Sequence, residues 1–183
     1  MRLRDHLRRE TRALHQRTEA LLQHLDIRTR AGLDSFLLVH HAVVMPMERR
    51  LAASDMTRRW PFRLTDLLVE DLEERALKPT AGVPAARFED ADPVGLSYVL
   101  GGSRLGSRVL LKRLAGACPA PRYLSRAPDD EIWPWTLSLL NSPEAAAAPR
   151  EDVLQGAEIA FASFADAVSL VEAPKETIHA LAV

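Results

Sequence analysis

His15, in a basic helical segment, is the first candidate for a residue that could do chemistry. At about 100° per residue, a helix places Arg8, Arg12, His15 and Glu19 in one stripe beside a face of leucines. A neutral imidazole at such an edge can bind iron through one ring nitrogen, while the other donates to a carboxylate or to water. Glu19 lies one turn after His15 and suits that second role. The two guanidinium groups suit anionic groups on a ligand.

A second candidate is a helix-length segment, residues 91–115, that carries glycine in its interior. Its apolar spacing predicts a buried helix, yet Gly101, Gly102 and Gly106 interrupt it. Each interior glycine costs about 1 kcal/mol relative to alanine, and the sum is large beside a total stability of roughly 5–15 kcal/mol. The bare backbone therefore serves either close packing of another helix or a flat ligand lying on this one, and both interpretations stay open.

These residues need a helical scaffold, which the hydrophobic periodicity predicts. The predicted helices cover about residues 3–25, 31–53, 65–77, 92–116, 129–140 and 150–171. No alternating strand pattern and no internal repeat is present. The sequence therefore predicts an all-α fold of six or seven helices, in one domain over residues 1–183.

Prolines and cap residues set the boundaries of these helices. Pro46 predicts a kink or break in the second helix, and Thr65 or Asp66 is the expected cap of the third. Asp92 followed by Pro93 predicts a capped start of the glycine-bearing helix. Residues 78–90 are predicted to form a loop. On the first helix, Leu3, Leu7, Leu14 and Leu21 are the expected buried face.

Composition narrows the classes of protein. A net charge of −1 gives no general reason to expect nucleic acid as a partner, and the low aromatic content of 5% favours helices. The single cysteine, Cys118, excludes an intramolecular disulfide and a cysteine-based metal cluster, and suits the cytoplasm. The charged start of the chain predicts no signal peptide. No uninterrupted run of about 18 apolar residues occurs, so no membrane span is expected.

Two segments carry a resemblance to a known family. Leu14 and His15 with Glu19, preceded by RDHLRRETRA, resemble the proximal helix of bacterial haem oxygenases, including phytochrome-associated members. The run YVLGGSRLGSRVL, residues 98–110, is similar to their glycine-rich distal helix. The similarity extends over nearly the whole chain. It implies an all-α, single-domain, multi-helix bundle of the haem-oxygenase type.

The resemblance also implies roles for individual residues. His15 matches the axial iron ligand and Glu19 its acidic neighbour, while Arg8, with Arg12 beside it, matches a position that pairs with a haem propionate. Gly102 and Gly106 match distal glycines that let the helix approach haem and bound oxygen.

Three positions depart from the family pattern. Ser103 stands where some members have an acid that organises water, and Ser107 replaces the second glycine of the closing pair. Gly101 stands where bacterial relatives often have glutamate. A hydroxyl can still support a water network near the distal glycines, so Ser103 is included with Gly102 and Gly106 as a catalytic candidate. Ser107 is included among the cofactor-binding candidates.

The implied reaction is oxidative cleavage of haem, as substrate and cofactor at once, to biliverdin, carbon monoxide and ferrous iron. The implied partners are O2, a reductase or ferredoxin as external electron donor, and a phytochrome that accepts the bilin. Two alternatives stay open: a non-catalytic haem or bilin binder, acting as sensor or carrier, and a helical interaction protein whose glycines only mediate packing.

Other side chains are weaker candidates. His40 and His41 are adjacent, so they point about 100° apart and are expected to pack or to be exposed rather than to chelate together. His6 and His24 fall on the other edge of the leucine stripe from His15. Tryptophans 133 and 135 are expected to be core or loop anchors, and glutamates 70, 73 and 74 a solvated acidic face.

Overall fold

The computed structural model describes residues 1–57, 60, 62–80, 82–114, 119–127 and 131–172, and here these residues form ten helices and no strand, which confirms the all-α class. The helices are α1 (Leu3–Glu10), α2 (Arg12–His24), α3 (Arg30–Ala53), α4 (Leu64–Glu74), α5 (Ala86–Glu89), α6 (Pro93–Leu114), α7 (Arg122–Ser125), α8 (Ile132–Leu140), α9 (Pro143–Ala147) and α10 (Arg150–Glu172). Cys118, His179 and the expected helix start at residue 129 lie outside the described residues.

Helix α10 is the main packing partner of the other long helices. It contacts α6, α3 and α2. By length and composition alone it could cross a membrane, although charged residues such as Glu158 and Asp166 interrupt its apolar sequence. Half of its most apolar window is buried inside the fold. We therefore interpret α10 as a core helix.

Helices α6 and α10 cross with their backbones in contact. A Cβ atom added to Gly95 would lie 2.7 Å from the Ala157 nitrogen, and one added to Gly156 would lie 2.6 Å from the Asp92 oxygen. Real Cβ atoms do not approach other atoms so closely, so only glycine fits at these two positions. This crossing fixes the first half of α6 against the central helix.

Helix α8 packs against the middle of α6 at another glycine. A Cβ on Gly101 would overlap Thr136 of α8, whose own Cβ lies 2.9 Å from that point, and Thr136 is fully buried. By contrast, a Cβ on Gly106 would meet nothing within 4 Å among the described residues. The packing interpretation is therefore confirmed for Gly101, whereas the ligand interpretation of Gly106 stays a prediction.

The cap prediction is confirmed for α6 and wrong for α4. Asp92 Oδ1 accepts hydrogen bonds from the Val94 and Gly95 nitrogens, at 2.8 and 3.1 Å. At α4, Glu48 of α3 accepts instead from the backbone nitrogens of Leu64 and Thr65, at 3.0 and 2.8 Å. A carboxylate from another helix thus accepts from the free N–H groups at the start of α4. The spacing of residues within one segment could not reveal such a contact.

The helix expected over residues 31–53 is confirmed as α3, and of the kink or break expected at Pro46 the break is wrong, because α3 continues through it. Pro46 is buried, and packing of α3 on α4, α6 and α10 outweighs a local cost of about 3 kcal/mol. The expected first helix is divided into α1 and α2 at Thr11 alone, whose hydroxyl donates to the Leu7 oxygen at 2.8 Å. The short helices α5, α7 and α9 were not predicted, and α5 lies within the expected loop. The expected number of six or seven helices is therefore too low for the described residues.

The leucine face of the first helix is only half confirmed. Leu3 and Leu7 are buried, but Leu14 and Leu21 are partly exposed, and Thr18 is the one buried residue of α2. Helix α2 packs on α10 and α1, whereas it makes little contact with α6. Leu14 still packs against the core, so the leucine face of α2 is only partly buried.

We expect alanine to have opposite effects at two glycines of α6. Gly101→Ala should lower the free energy of unfolding, since overpacking against Thr136 costs about 1–3 kcal/mol and exceeds the gain in helix propensity. Gly106→Ala should raise it by up to about 1 kcal/mol, because the added methyl group meets open space. Urea denaturation of both variants without ligand measures this, and equal stabilities would contradict the packing described for Gly101.

Candidate functional site

A cleft of about 1560 Å³ separates α1 and α2 from α6. Small-molecule pockets span roughly 300–1,000 Å³, so this volume suits a large ligand. Its deep part is lined by buried Phe36 and His40 of α3 and by Phe161 and Phe164 of α10. The cleft therefore combines an apolar interior with a mouth that opens between two helices.

The residues to which the resemblance gives a role all line this one cleft. They divide between two of its walls. The α1–α2 wall carries Arg8, Arg12, His15 and Glu19, and the α6 wall carries Gly102, Ser103, Gly106 and Ser107. Residues separated by about 90 positions in the sequence are therefore brought to one site by the packing of α2 and α6 on α10.

His15 is held loosely and is open to the cleft. Its side chain is 65% exposed, and its ring meets Phe161 edge-on at a centroid distance of 5.9 Å. Nδ1 lies 3.9 Å from Glu19 Oε2, beyond hydrogen-bond length but within reach of electrostatic attraction. Glu19 thus faces one ring nitrogen of His15 and leaves the other available to a ligand.

Arg8 and Arg12 add positive charge to the same wall. Both side chains are exposed, and no carboxylate in the described part of the chain lies within ion-pair distance of either. An arginine that lacks an internal partner can form bidentate hydrogen bonds to a carboxylate of a ligand. The wall is therefore suited to anionic substituents at the cleft mouth.

The α6 wall offers bare backbone next to two hydroxyl groups. Gly106 is exposed and Gly102 half-buried, the latter with Trp133 Cζ3 4.0 Å from where its Cβ would be. The Ser103 hydroxyl donates to the Leu100 oxygen at 2.7 Å, and the Ser107 hydroxyl to the Ser103 oxygen at 3.1 Å. The Ser103 oxygen keeps lone-pair capacity to accept from water in the cleft, whereas the Ser107 oxygen is buried and already accepts from Arg104 Nη1 at 3.5 Å.

A buried polar chain, which sequence reasoning missed, supports α6 from behind. Arg104 is fully buried and donates to the backbone carbonyl oxygen of Tyr123 at 2.8 Å. Its guanidinium group also stacks on the Tyr123 ring, 4.5 Å from the ring centre. Tyr123 in turn donates its backbone N–H to Asp71 of α4 at 2.9 Å. Burial raises the pKa of Asp71, while the N–H groups of Arg122 and Tyr123 oppose that shift.

The spacing of α6 could have revealed this arginine. Buried residues recur at positions 97, 100, 101, 104 and 107, at helical intervals that place Arg104 on the buried face. Asp71 sits among glutamates 70, 73 and 74, which are exposed as predicted, and only contacts from α7 distinguish it.

His40 lies at the bottom of the cleft. It packs as the sequence suggested, with its ring centroid 3.9 Å from that of Phe36 and 5.3 Å from that of Phe164. Nδ1 lies 2.8 Å from the Phe36 oxygen, so we assign the ring proton to Nδ1, which donates to that carbonyl. Burial lowers the pKa of His40 to about 4, and the nearby Arg104 charge adds to this effect.

The remaining candidates lie elsewhere. His6 and His24 do not line the cleft, in agreement with their expected position on the helix. Trp135 packs edge-on against Trp60, with ring centroids 5.1 Å apart, as an anchor of the loop before α4. Trp133 lines the cleft instead. Among the residues that the structure describes, no cluster of His, Cys, Asp and Glu could hold a metal ion by itself.

Comparison with known proteins identifies one clear similarity. The chain is 32% identical over 150 residues to a heme oxygenase from Xanthomonas campestris pv. campestris (strain 8004). The alignment covers 77% of this chain and 89% of that protein, so the similarity spans most of both. No protein-family model matches the chain, and no solved structure matches it.

The buried His40 generates a prediction about pH. Its folded pKa of about 4 lies below the ordinary value of 6.5, so between these values the unfolded chain binds more protons. The contribution of His40 to stability is complete above pH 6.5 and is lost as the pH falls towards 4. We expect about 2 kcal/mol of that loss by pH 5.

Urea denaturation at pH 7 and pH 5 measures this loss. His40→Gln should show the smaller difference between the two pH values, whereas His24→Gln, at an exposed position, should match the parent. Equal pH dependence in the parent and His40→Gln would contradict the burial of a neutral imidazole.

Proposed function

Because the chain belongs to the haem oxygenase family, we propose that it binds haem between α2 and α6 and cleaves it to biliverdin, carbon monoxide and ferrous iron. The reaction consumes O2 and electrons from an external reductase or ferredoxin. The observation that carries the proposal is the cleft itself, which sets an imidazole on one wall opposite bare backbone on the other.

The residues of the cleft fit a haem group. His15 would supply a ring nitrogen to the iron, and Phe161 and Phe164 would give apolar contact to the porphyrin. Arg8 and Arg12 supply guanidinium groups for the propionates. Gly106, with open space where its Cβ would be, lets a flat ring approach the α6 backbone. The volume of about 1560 Å³ accommodates such a ligand together with water.

The bound haem supplies the iron at which oxygen is activated, and the protein positions and protects this chemistry. Glu19 attracts a proton on Nδ1 of His15, which favours the tautomer with the opposite nitrogen free. The α6 backbone at Gly102 and Gly106 limits the space above the ring, which is a positioning effect. A neutral imidazole ligand also donates less electron density to iron than a thiolate would.

Ser103 and Ser107 provide the polar part of the α6 wall. Both hydroxyl groups donate to helix carbonyls in this structure, and the Ser103 oxygen can also accept a hydrogen bond from water, while the Ser107 oxygen accepts from Arg104. A hydroxyl rotor can also turn to donate. We propose that Ser103 holds water near the distal glycines, in the place of the acid found in some relatives.

A second candidate function is non-catalytic binding of haem or a bilin. It is favoured by the composition of α6, since the helix carries no Asp or Glu and its cleft-lining hydroxyls are already bonded internally. A third candidate, packing alone, does not explain Gly106, which meets no neighbour among the described residues.

Turnover of bound haem separates these functions. Haem is added to the purified protein, then a reductant in air, and the Soret band is followed together with the biliverdin absorption. We expect the Soret band to disappear as biliverdin grows. A stable Soret band would refute the enzymatic proposal in favour of the binder, and no Soret band would refute haem binding. The same enzyme activity would serve iron acquisition or supply of bilin to a phytochrome.

The axial role of His15 gives a spectroscopic prediction. In His15→Ala the ferric haem spectrum should change and the affinity for haem should fall, and added imidazole should restore the spectrum by occupying the vacated position. His24→Ala is the matched control, because His24 is exposed on the same helix but outside the cleft. An unchanged spectrum in His15→Ala would refute the assignment.

Arg8 and Arg12 give a prediction about affinity. Charge-assisted hydrogen bonds contribute about 1.5–3 kcal/mol, so Arg8→Gln or Arg12→Gln should weaken haem binding roughly tenfold or more. Arg17→Gln should leave the dissociation constant unchanged, since Arg17 is exposed on α2 and does not line the cleft. Equal affinities of all three variants would show that the propionates bind elsewhere.

A further inference from the structure

We propose that Trp133 of α8 is a specificity-determining residue that sets the in-plane position of haem beneath α6 and thereby the meso carbon at which the ring opens. The inference rests on the proposed function of the same cleft. It concerns a residue outside the two helices that form the cleft walls.

Helix α8 is fixed to the back of the α6 wall. Thr136 occupies the space left by the missing side chain of Gly101, and Ile132, at the start of α8, is also buried. Helix α8 contacts α1 as well as α6. Helix α8 therefore lies at the end of the cleft that α1 and α6 bound. Contacts with both of these helices hold its side chains in place.

The two tryptophans of α8 have different surroundings. The ring of Trp135 lies 5.1 Å from that of Trp60 and 6.3 Å from that of Phe62, centre to centre, and it does not line the cleft. Trp133 is half-buried, lines the cleft, and places Cζ3 4.0 Å from the position of a Gly102 Cβ. One indole is an anchor and the other is part of the site.

The surroundings of the distal glycines are therefore unequal. A Cβ added to Gly102 would lie in ordinary van der Waals contact with the edge of an indole. A Cβ added to Gly106 would meet nothing within 4 Å among the described residues. A flat ring under α6 can extend towards Gly106 but meets Trp133 at the other end. The rigid indole of Trp133 limits the position of the porphyrin along α6. It thereby determines which part of the porphyrin edge lies under the bare backbone.

The test combines a structural readout with product analysis. Zinc protoporphyrin IX, which is diamagnetic, is bound to the parent, and nuclear Overhauser effects are sought between the Trp133 indole and peripheral porphyrin protons. Trp133→Phe assigns the indole signals. We expect such contacts for Trp133 and none for Trp135.

The bilin isomers formed from haem are then compared by chromatography for the parent, Trp133→Ala, Trp133→Leu and the matched control Trp135→Leu. Because pocket shape discriminates on a scale of roughly tenfold or more, we expect the ratio of isomers to change by about that factor in either Trp133 variant and to stay constant in the control. Trp133→Leu retains apolar bulk for folding in case Trp133→Ala does not fold.

Failure of this inference can be told apart from failure of the proposed function. Normal porphyrin binding and bilin formation, with an unchanged isomer ratio in both Trp133 variants or no contact between the indole and the ring, would overturn the role of Trp133 alone. Absence of porphyrin binding or of bilin formation in the parent would overturn the proposed function, on which the inference depends.

Discussion

The structure depends on how α6 is held from behind. Its backbone touches α10 at Gly95, α8 fills the space beside Gly101, and buried Arg104 joins it to Tyr123. Interiors packed at crystal-like density transmit position precisely, so these contacts set the rotation of α6 about its own axis. That rotation leaves Gly106 on the cleft side, where a Cβ would have no neighbour within 4 Å among the residues that the structure describes. The glycines of one helix thus serve two purposes, close packing on one side and a bare surface on the other.

The α1–α2 wall differs from α6, because few contacts hold its side chains in place. Helix α2 buries little of its surface, and His15 is largely exposed, restrained by Phe161 and attracted by Glu19. Polar groups that already have strong internal partners are poor ligands, because binding must first break those bonds. The loosely held imidazole has no such cost, nor do the guanidinium groups of Arg8 and Arg12, which form no ion pair with any carboxylate in the described residues. The cleft is therefore bounded on one side by the tightly packed α6 and on the other by α1 and α2, whose side chains are available to a ligand.

Periodicity predicted the helical class and the main long helices, because it is a local property, and spacing together with the resemblance indicated the residues that line both walls. The sequence could not assign packing to Gly101 rather than to Gly106, since that depends on Thr136, which is distant in sequence. The cap from Glu48 was missed, and the absence of a break at Pro46 was left undecided, because both depend on neighbouring helices. The functional roles of the wall residues stay predictions.

The most direct test of the account is the ring-nitrogen resonances of the six histidines. Protein labelled with 15N-histidine is titrated with zinc protoporphyrin IX, whose metal takes one axial ligand. The account predicts a large shift for one ring nitrogen of His15, while the other histidines move little. A large shift at His40 or another histidine, with His15 unchanged, would contradict the placement of the metal beside α2.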